Sequence, residues 1–188
     1  MKSIAYCLFD TPLGPCGIAW RDDGAENVSP AVTSFQLPEA TAQAMEAKIA
    51  RESGGYPSSA PPPAIAALIE RIRKHFEGNA DDFRDIAVDL DGMGPFARRV
   101  YAAARAIPPG QTMTYGEIAE VLARPGAARA VGQALGKNPI PLIIPCHRVL
   151  AAGGKPGGFS AAGGLTTKAR MLDVEGVRIL NRLFADPV

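Results

Sequence analysis

Cys146 and His147 stand side by side in Ile144-Pro145-Cys146-His147-Arg148-Val149, and His147 is one of only two histidines in the chain. A thiol attacks as its thiolate, and a nearby imidazole is the usual means of producing one. The residues just before them, Asn138-Pro139-Ile140-Pro141-Leu142-Ile143, are apolar and carry two prolines. Proline fixes φ and disfavours helix at the residue ahead of it, so this run is expected to be extended and rigid. Neighbouring side chains on an extended stretch point to opposite faces, which argues against the direct Cys–His pair of a thiol protease or hydrolase. The plainer reading of Cys146 is a small buried hydrophobe, as many intracellular cysteines are. The rest of the chain has to decide between the two.

A chain of 188 residues suits one domain or two small ones, and 47% apolar content is enough for a core. Seventeen prolines and twenty glycines imply many turns. No apolar run reaches the roughly 18 residues of a membrane span, and Met1 to Cys7 lacks the apolar stretch of a signal peptide. Three cysteines suggest no disulfide framework, so a reducing cytoplasm is the expected compartment. Cys7, Cys16 and His75 match no compact zinc spacing. Neither a metal nor a cofactor is expected.

The net charge of +1 hides an asymmetry. Residues 1–91 hold 8 basic and 14 acidic residues, whereas residues 92–188 hold 12 basic and 5 acidic. The half that carries Cys146 is thus the basic one, the footprint of a nucleic-acid or phosphate partner. A solvated mixed surface would give the same count, so charge alone does not settle it.

In the first half, Ile4 to Phe9 and Cys16 to Trp20 flank a Pro/Gly turn and predict a β-hairpin, ended by Asp22-Asp23-Gly24. Val32–Leu37 reads as a third strand, Pro38–Arg51 as a helix and Ser53–Pro63 as a loop. Ile65, Leu68, Ile69, Ile72 and Phe76 form one apolar face of a helix over Ala64–Glu77, with Pro63 and Gly78 as start and stop. His75 falls in its last turn, where the helix dipole favours a cation. Phe83–Asp91 alternates and predicts a further strand. Strands followed by helices predict a small α+β domain at 1–91.

Gly92-Met93-Gly94-Pro95 marks the boundary to a mainly helical domain at 92–188. Phe96–Ala106 predicts a helix with Val100, Tyr101 and Ala104 inward. Thr114 and Glu117 form a capping box ahead of a helix over Tyr115–Leu122. A turn at Arg124-Pro125-Gly126 leads to a second helix over Ala127–Leu135, which makes a helix-turn-helix. That second helix is nearly all small residues, with Arg129 as its single long charged side chain. Small residues let a backbone approach a shallow surface such as the minor groove, whereas a major-groove reader carries several long polar side chains. A tightly packed internal helix would have the same composition.

Taken in order, these segments resemble the O6-alkylguanine-DNA alkyltransferase family. Phe96–Gly110 is similar to the family helix that ends in Ile-Pro-X-Gly. Thr114 to Ala119 and Ala128 to Gly132 resemble its two DNA-binding helices, and Asn138 to Val149 resembles its active-site string. Gly163-Gly164-Leu165 and Leu172 to Gly176 resemble its closing segment. In the first half only Phe9 to Gly14 is similar. The resemblance implies a ribonuclease-H-like N-terminal domain followed by a winged-helix-like helix-turn-helix domain.

It also implies roles. Cys146 accepts the alkyl group once, without cofactor, and forms a thioether. His147 acts as base through water, and Glu175 orients it. Tyr115 rotates the nucleotide and donates to the leaving guanine, while Arg129 fills the vacated stack. Ala128 and Gly132 lie against the minor groove. Asn138 holds the turn before the active-site string, and Arg148 is structural. Pro141, Val149, Phe159 and Ser160 form the substrate pocket. The implied partner is double-stranded DNA carrying O6-alkylguanine, bound by a monomer. Three departures stand out: Phe159 replaces a tyrosine frequent in the family, the glycine-rich loop around it is longer, and Gly126 and Gly136 occupy positions that are basic in some relatives. Two rivals remain besides the hydrolase. A lesion sensor would lack the cysteine, and a purely regulatory helix-turn-helix protein would bind DNA regardless of damage.

Overall fold

The computed structural model describes residues 3–22, 30–58 and 60–179. The chain is mixed α+β and divides into two compact units, one of residues 1–91 with 139–143, the other of 92–138 with 144–188.

In the first unit, β1 (Ser3–Thr11) and β2 (Gly14–Asp22) form the antiparallel hairpin, closing at Thr11 opposite Gly14. Asp23 and Gly24, its expected end, lie outside the described residues. β3 (Ala31–Gln36) pairs antiparallel with β2, with a register shift at Ala19/Trp20. β4 (Tyr56–Pro57) pairs parallel with β1, which gives the order β3-β2-β1-β4. A loop was expected there; Pro57 is tolerated because β4 is an edge strand. α1 (Ala42–Ser53) begins later than Pro38, because the Thr41 side chain accepts from Ala44 N–H and caps it there. α2 (Pro63–Phe76) buries the apolar stripe read from the sequence. Both helices pack on the sheet, and Ile18, Phe35, Met45, Ile49, Ile65 and Ile72 fill the space between.

Two expectations for this unit are corrected. Phe83–Asp91 is not a strand; only Val88 forms a bridge, parallel to Val32. Arg71 grips Asp81 and Asp85 together, Asp81 accepts from Phe83 N–H, and Phe83 sits at φ 50°. The turn folded around the guanidinium keeps the start of the segment off the sheet, and further on Ala87 C=O and Asp89 N–H reach Val32 of β3. His75 does not meet the helix dipole as an exposed cation. It is fully buried between Phe76 and Phe83, and its Nδ1 accepts from Asp81 N–H.

In the second unit, α3 (Pro95–Arg105) turns Val100, Tyr101 and Ala104 inward. β5 (Met113–Thr114) leads into α4 (Tyr115–Val121), whose Thr114–Glu117 capping box is complete. α5 (Ala128–Gly136) packs against α3 and α4. A 3₁₀ turn at Cys146–Arg148 runs into β6 (Val149–Leu150), parallel to β5, and a second 3₁₀ turn spans Ala152–Gly154. α6 (Gly164–Val174) packs against the turn that holds Cys146. No helix among the described residues is long and apolar enough to cross a membrane.

The proline-containing run is not extended, contrary to the expectation. Leu142 adopts φ 75° in the turn over Leu142 and Ile143, which places a bulky residue where glycine is usual. Burial of Ile140, Leu142 and Ile143, all fully enclosed, offsets that strain. Residues 139–143 belong to the first unit, where Pro139 C=O accepts from Phe35 N–H at 3.0 Å.

Candidate active site

Tyr115 is the first residue of α4, and the capping box fixes it. Thr114 Oγ1 accepts from Glu117 N–H at 3.2 Å, and Glu117 Oε2 accepts from Thr114 N–H at 2.6 Å. From that position the tyrosine ring faces Gly132 of α5 and Gly157 of the glycine-rich loop. A Cβ at Gly132 would meet the ring at an ordinary 3.8 Å, but one at Gly157 would come to 3.0 Å from Tyr115 Oη. Gly157 also has φ +71°, so both backbone and space call for glycine there.

Tyr115 lines a pocket of about 330 Å³ together with Gly132, Cys146, Gly158, Phe159 and Ser160. Of the candidate residues singled out from the sequence, the structure thus brings five together around one pocket: Tyr115, Gly132, Cys146, Phe159 and Ser160. Ala128 is half-buried and Arg129 exposed, both on the first turn of α5 and outside the pocket lining. Val149 is fully buried behind the turn, and its carbonyl is held by Lys168. Pro141 is not among the lining residues; it lies in the segment grouped with the first unit. Asn138 Nδ2 donates to Ile144 C=O at 2.8 Å, which ties the end of α5 to the start of the cysteine turn.

Cys146 and His147 share a 3₁₀ turn, not an extended strand, so their side chains are not on strictly opposite faces as first argued. They nevertheless diverge. Cys146 faces the pocket, whereas His147 is fully buried with Nε2 at 2.9 Å from Glu175 Oε1. A carboxylate only accepts, so Nε2 carries the proton and Nδ1 presents its lone pair. Nδ1 makes no hydrogen bond to the described protein. Arg148 is also fully buried. Its Nε and Nη2 donate to Glu175 Oε2 and Oε1 at 2.9 and 2.8 Å, and Nη1 donates to Ile107 C=O at 2.6 Å. Arg148, set aside as structural, therefore shares the carboxylate that orients the base.

The electrostatics follow from burial. Burial pushes the Cys146 thiol above its ordinary range, while hydrogen bonding from Asn138 and the charge of Lys168 pull it back. Burial also holds His147 below the usual histidine range; Glu175 raises it, and Arg148 and Lys168 lower it again. Burial alone would raise Glu175, but the hydrogen bonds and charges of His147 and Arg148 win and take it down to about 2. The ring is accordingly neutral at pH 7 beside an ionised carboxylate, as a base requires. Burial, and then the Cys146 charge, raise Tyr115, so its phenol keeps its proton.

Sequence reasoning missed Lys168, which is fully buried on α6. The signal was present: Leu165, Lys168, Ala169 and Leu172 follow i, i+3, i+4, i+7, which sets a lysine on the apolar stripe. Tyr101, expected to face inward, also has its hydroxyl donate to Ala134 C=O at 2.9 Å, which joins α3 to α5. Among the described residues, no group of three or more His, Cys, Asp or Glu is placed to hold a metal.

The second unit sets α4 and α5 around a short turn, and its pocket is lined by Cys146 and residues of both helices, with a neutral, carboxylate-bonded histidine next in the chain. Residues 95–177 match the family model described as 6-O-methylguanine DNA methyltransferase, DNA binding domain. A methylated-DNA–protein-cysteine methyltransferase of Mycolicibacterium paratuberculosis is 39% identical over 172 residues, 92% of each chain. The crystal structure of Mycobacterium tuberculosis OGT in complex with DNA superposes with a TM-score of 0.69 at 35% identity, over 91% of this chain and 92% of that one. The O6-methylguanine-DNA methyltransferase of Pyrococcus kodakaraensis gives 0.65 at 26% identity, over 93% and 99%. The chain belongs to the methylated-DNA–protein-cysteine methyltransferase family.

Proposed function

We propose that the protein repairs DNA directly, moving the alkyl group of O6-alkylguanine onto Cys146. The observation that carries this reading is the pocket of Cys146, Tyr115, Phe159 and Ser160, backed by the His147–Glu175 pair. A stacked base cannot present its O6 substituent to a half-buried thiol set in a pocket, so the nucleotide leaves the duplex. Arg129, exposed on the first turn of α5, fills the gap, while Ala128 and Gly132 let that helix lie close in the minor groove. Flipping costs a few kcal/mol, least for a weakly paired base.

In the pocket, Phe159 offers a face for stacking and Ser160 a donor for O6. The Cys146 proton passes through a water to His147 Nδ1, whose other nitrogen is held by Glu175. Sulfur then attacks the alkyl carbon. The S–C bond forms as the C–O6 bond breaks, and its electron pair goes to O6. Tyr115 donates its proton to N3 of the departing guanine, which leaves neutral. The thioether is stable to water, and among the described residues no second thiol lines the pocket to regenerate the first, so each molecule acts once.

In this reading residues 1–91 are a ribonuclease-H-like support domain, and 92–188 are the winged-helix-like domain that binds DNA and accepts the alkyl group. The protein acts as a monomer in the cytoplasm. The test is to mix it with a duplex carrying one O6-methylguanine and follow intact and peptide masses. One methyl on the Cys146 peptide, saturating at one per protein, is the expected outcome. Sustained turnover, or lesion-selective binding with no methyl gained, contradicts it.

A further inference from the structure

Lys168 has no place in the mechanism above, yet it is among the largest fully buried side chains of the protein. Its Nζ donates to Val149 C=O and Pro156 C=O, each at 2.6 Å, and reaches Gly158 C=O at 3.5 Å. These carbonyls come from two separate segments. Val149 follows the turn that carries Cys146, and Pro156 and Gly158 belong to the glycine-rich loop. Gly158 lines the pocket with Phe159 and Ser160 beside it. Within the loop Gly157 is in the left-handed region and Gly158 is exposed, and the other tie at this point is a backbone hydrogen bond from Gly158 to the Tyr115 phenol.

We infer that Lys168 is a positioning residue for alkyl transfer, its ammonium fastening the glycine-rich loop to β6 so that Phe159 and Ser160 are held over Cys146. An ammonium has three N–H donors and no lone pair, which matches three carbonyl oxygens. A neutral amine has two donors and one lone pair, so on losing its proton it must turn that lone pair on one of them. Of the two loop bonds, the one to Gly158 C=O at 3.5 Å, next to Phe159 and Ser160, is the weaker, and it is the weakest of the three. Burial lowers Lys168 to about 8, with the Cys146 charge opposing the fall. The titratable groups around it are Cys146 and His147 of the 3₁₀ turn and, behind His147, the charged Arg148–Glu175 pair. The ammonium is therefore present below pH about 8 and is lost as pH rises through that value.

The inference rests on the alkyl-transfer reading for its activity arm only. The first measurement is hydrogen exchange of the loop amides at 157–160 in the wild type and in Lys168→Met, which keeps the length and removes the donors. Exchange faster by about tenfold or more in the variant is expected. The second is single-turnover transfer from an O6-methylguanine duplex between pH 6.5 and 9.5, comparing the wild type with Lys168→Arg. The wild-type rate at saturating DNA should fall above pH about 8, and the arginine variant, charged throughout, should show no such limb. The half-saturating duplex concentration should stay within about twofold, because Lys168 sits behind the pocket and not at the DNA face. A folded Lys168→Met protein with wild-type loop exchange and wild-type transfer overturns the inference. So does an arginine variant that keeps the alkaline fall. If Lys168→Met does not fold, the comparison with Lys168→Arg decides alone. If the wild type gains no methyl while loop exchange still responds to Lys168→Met, the latch stands and the alkyl-transfer reading falls.

Discussion

Replacing Glu175 by glutamine is the sharpest test of the buried cluster, because it changes one charge and almost no volume. The carboxylate of Glu175 serves two neighbours, the Arg148 guanidinium at 2.8 and 2.9 Å and His147 Nε2 at 2.9 Å. A carboxamide has one acceptor oxygen where three donors converge. If its oxygen stays on Arg148, its NH₂ faces His147 and can only donate, which forces the ring proton from Nε2 to Nδ1. The lone pair of the base is then gone. Two independent magnitudes bear on stability. Depression of Glu175 from 4.5 to about 2 is worth about 3 kcal/mol by linkage. Removing one partner of a buried ion pair costs about 3–5 kcal/mol. For a chain of this size the loss corresponds to a fall in Tm of roughly 6–20 °C. The sign with pH is fixed: the contribution is complete above about 4.5 and fades as pH drops toward about 2, and the glutamine variant should lose that dependence. Transfer should slow by about 10²–10⁴, the usual worth of a general base. Urea unfolding at pH 7 and at pH 3.5, with single-turnover transfer at pH 7.5, would measure all three. Wild-type stability with transfer within about threefold of wild type would falsify the assignment of Glu175 as orienter.

Three further outcomes are expected. Cys146→Ala should gain no methyl and still bind lesion-bearing duplex, seen by intact mass and by gel shift; methylation elsewhere in that variant would move the acceptor away from Cys146. Arg129→Ala should weaken transfer on the order of tenfold and leave the unfolding midpoint unchanged, because the side chain is exposed and surface changes seldom exceed about 0.5 kcal/mol. An unchanged transfer rate would place the intercalating side chain elsewhere. Gly157→Ala meets both a left-handed φ and a 3.0 Å approach to Tyr115 Oη, so it should cost about 1–2 kcal/mol in the backbone alone and slow transfer by displacing the tyrosine. A normal rate at saturating DNA would show that the loop can yield.

Features set by neighbours in the chain were legible in the sequence. The hairpin at Thr11–Gly14, the apolar face of α2 and the Thr114–Glu117 capping box depend on residues a few positions apart, and each formed where expected. The pairing of His147 with Glu175 spans 28 residues and came only from the family resemblance. What failed was decided by tertiary contacts. The alternation of Phe83–Asp91 reads as a strand until Arg71, on another element, gathers Asp81 and Asp85. Leu142 holds a positive φ because burial outweighs the strain, and no local signal marks that. Lys168 escaped notice because a cationic residue in sequence suggests solvent, whereas here backbone carbonyls receive it; Arg148 reads as structural, but its bond to the Glu175 carboxylate has no local signal.

Residues 139–143 also bear on how the chain is made. The first unit is discontinuous, and Phe35 N–H has its acceptor at Pro139. On the ribosome, the strand that carries Phe35 waits for more than a hundred further residues before that carbonyl exists. At about 5–20 residues per second the wait is roughly 5–20 s, far longer than a hairpin needs to form. Until then Ile140, Leu142 and Ile143 have no enclosure and the first unit lacks part of its core. The N-terminal half should therefore fold as a late partner and not as an independent head start. A fragment stopped at Asp91 should be expanded or prone to aggregate, because its own sequence leaves out the five residues that complete it.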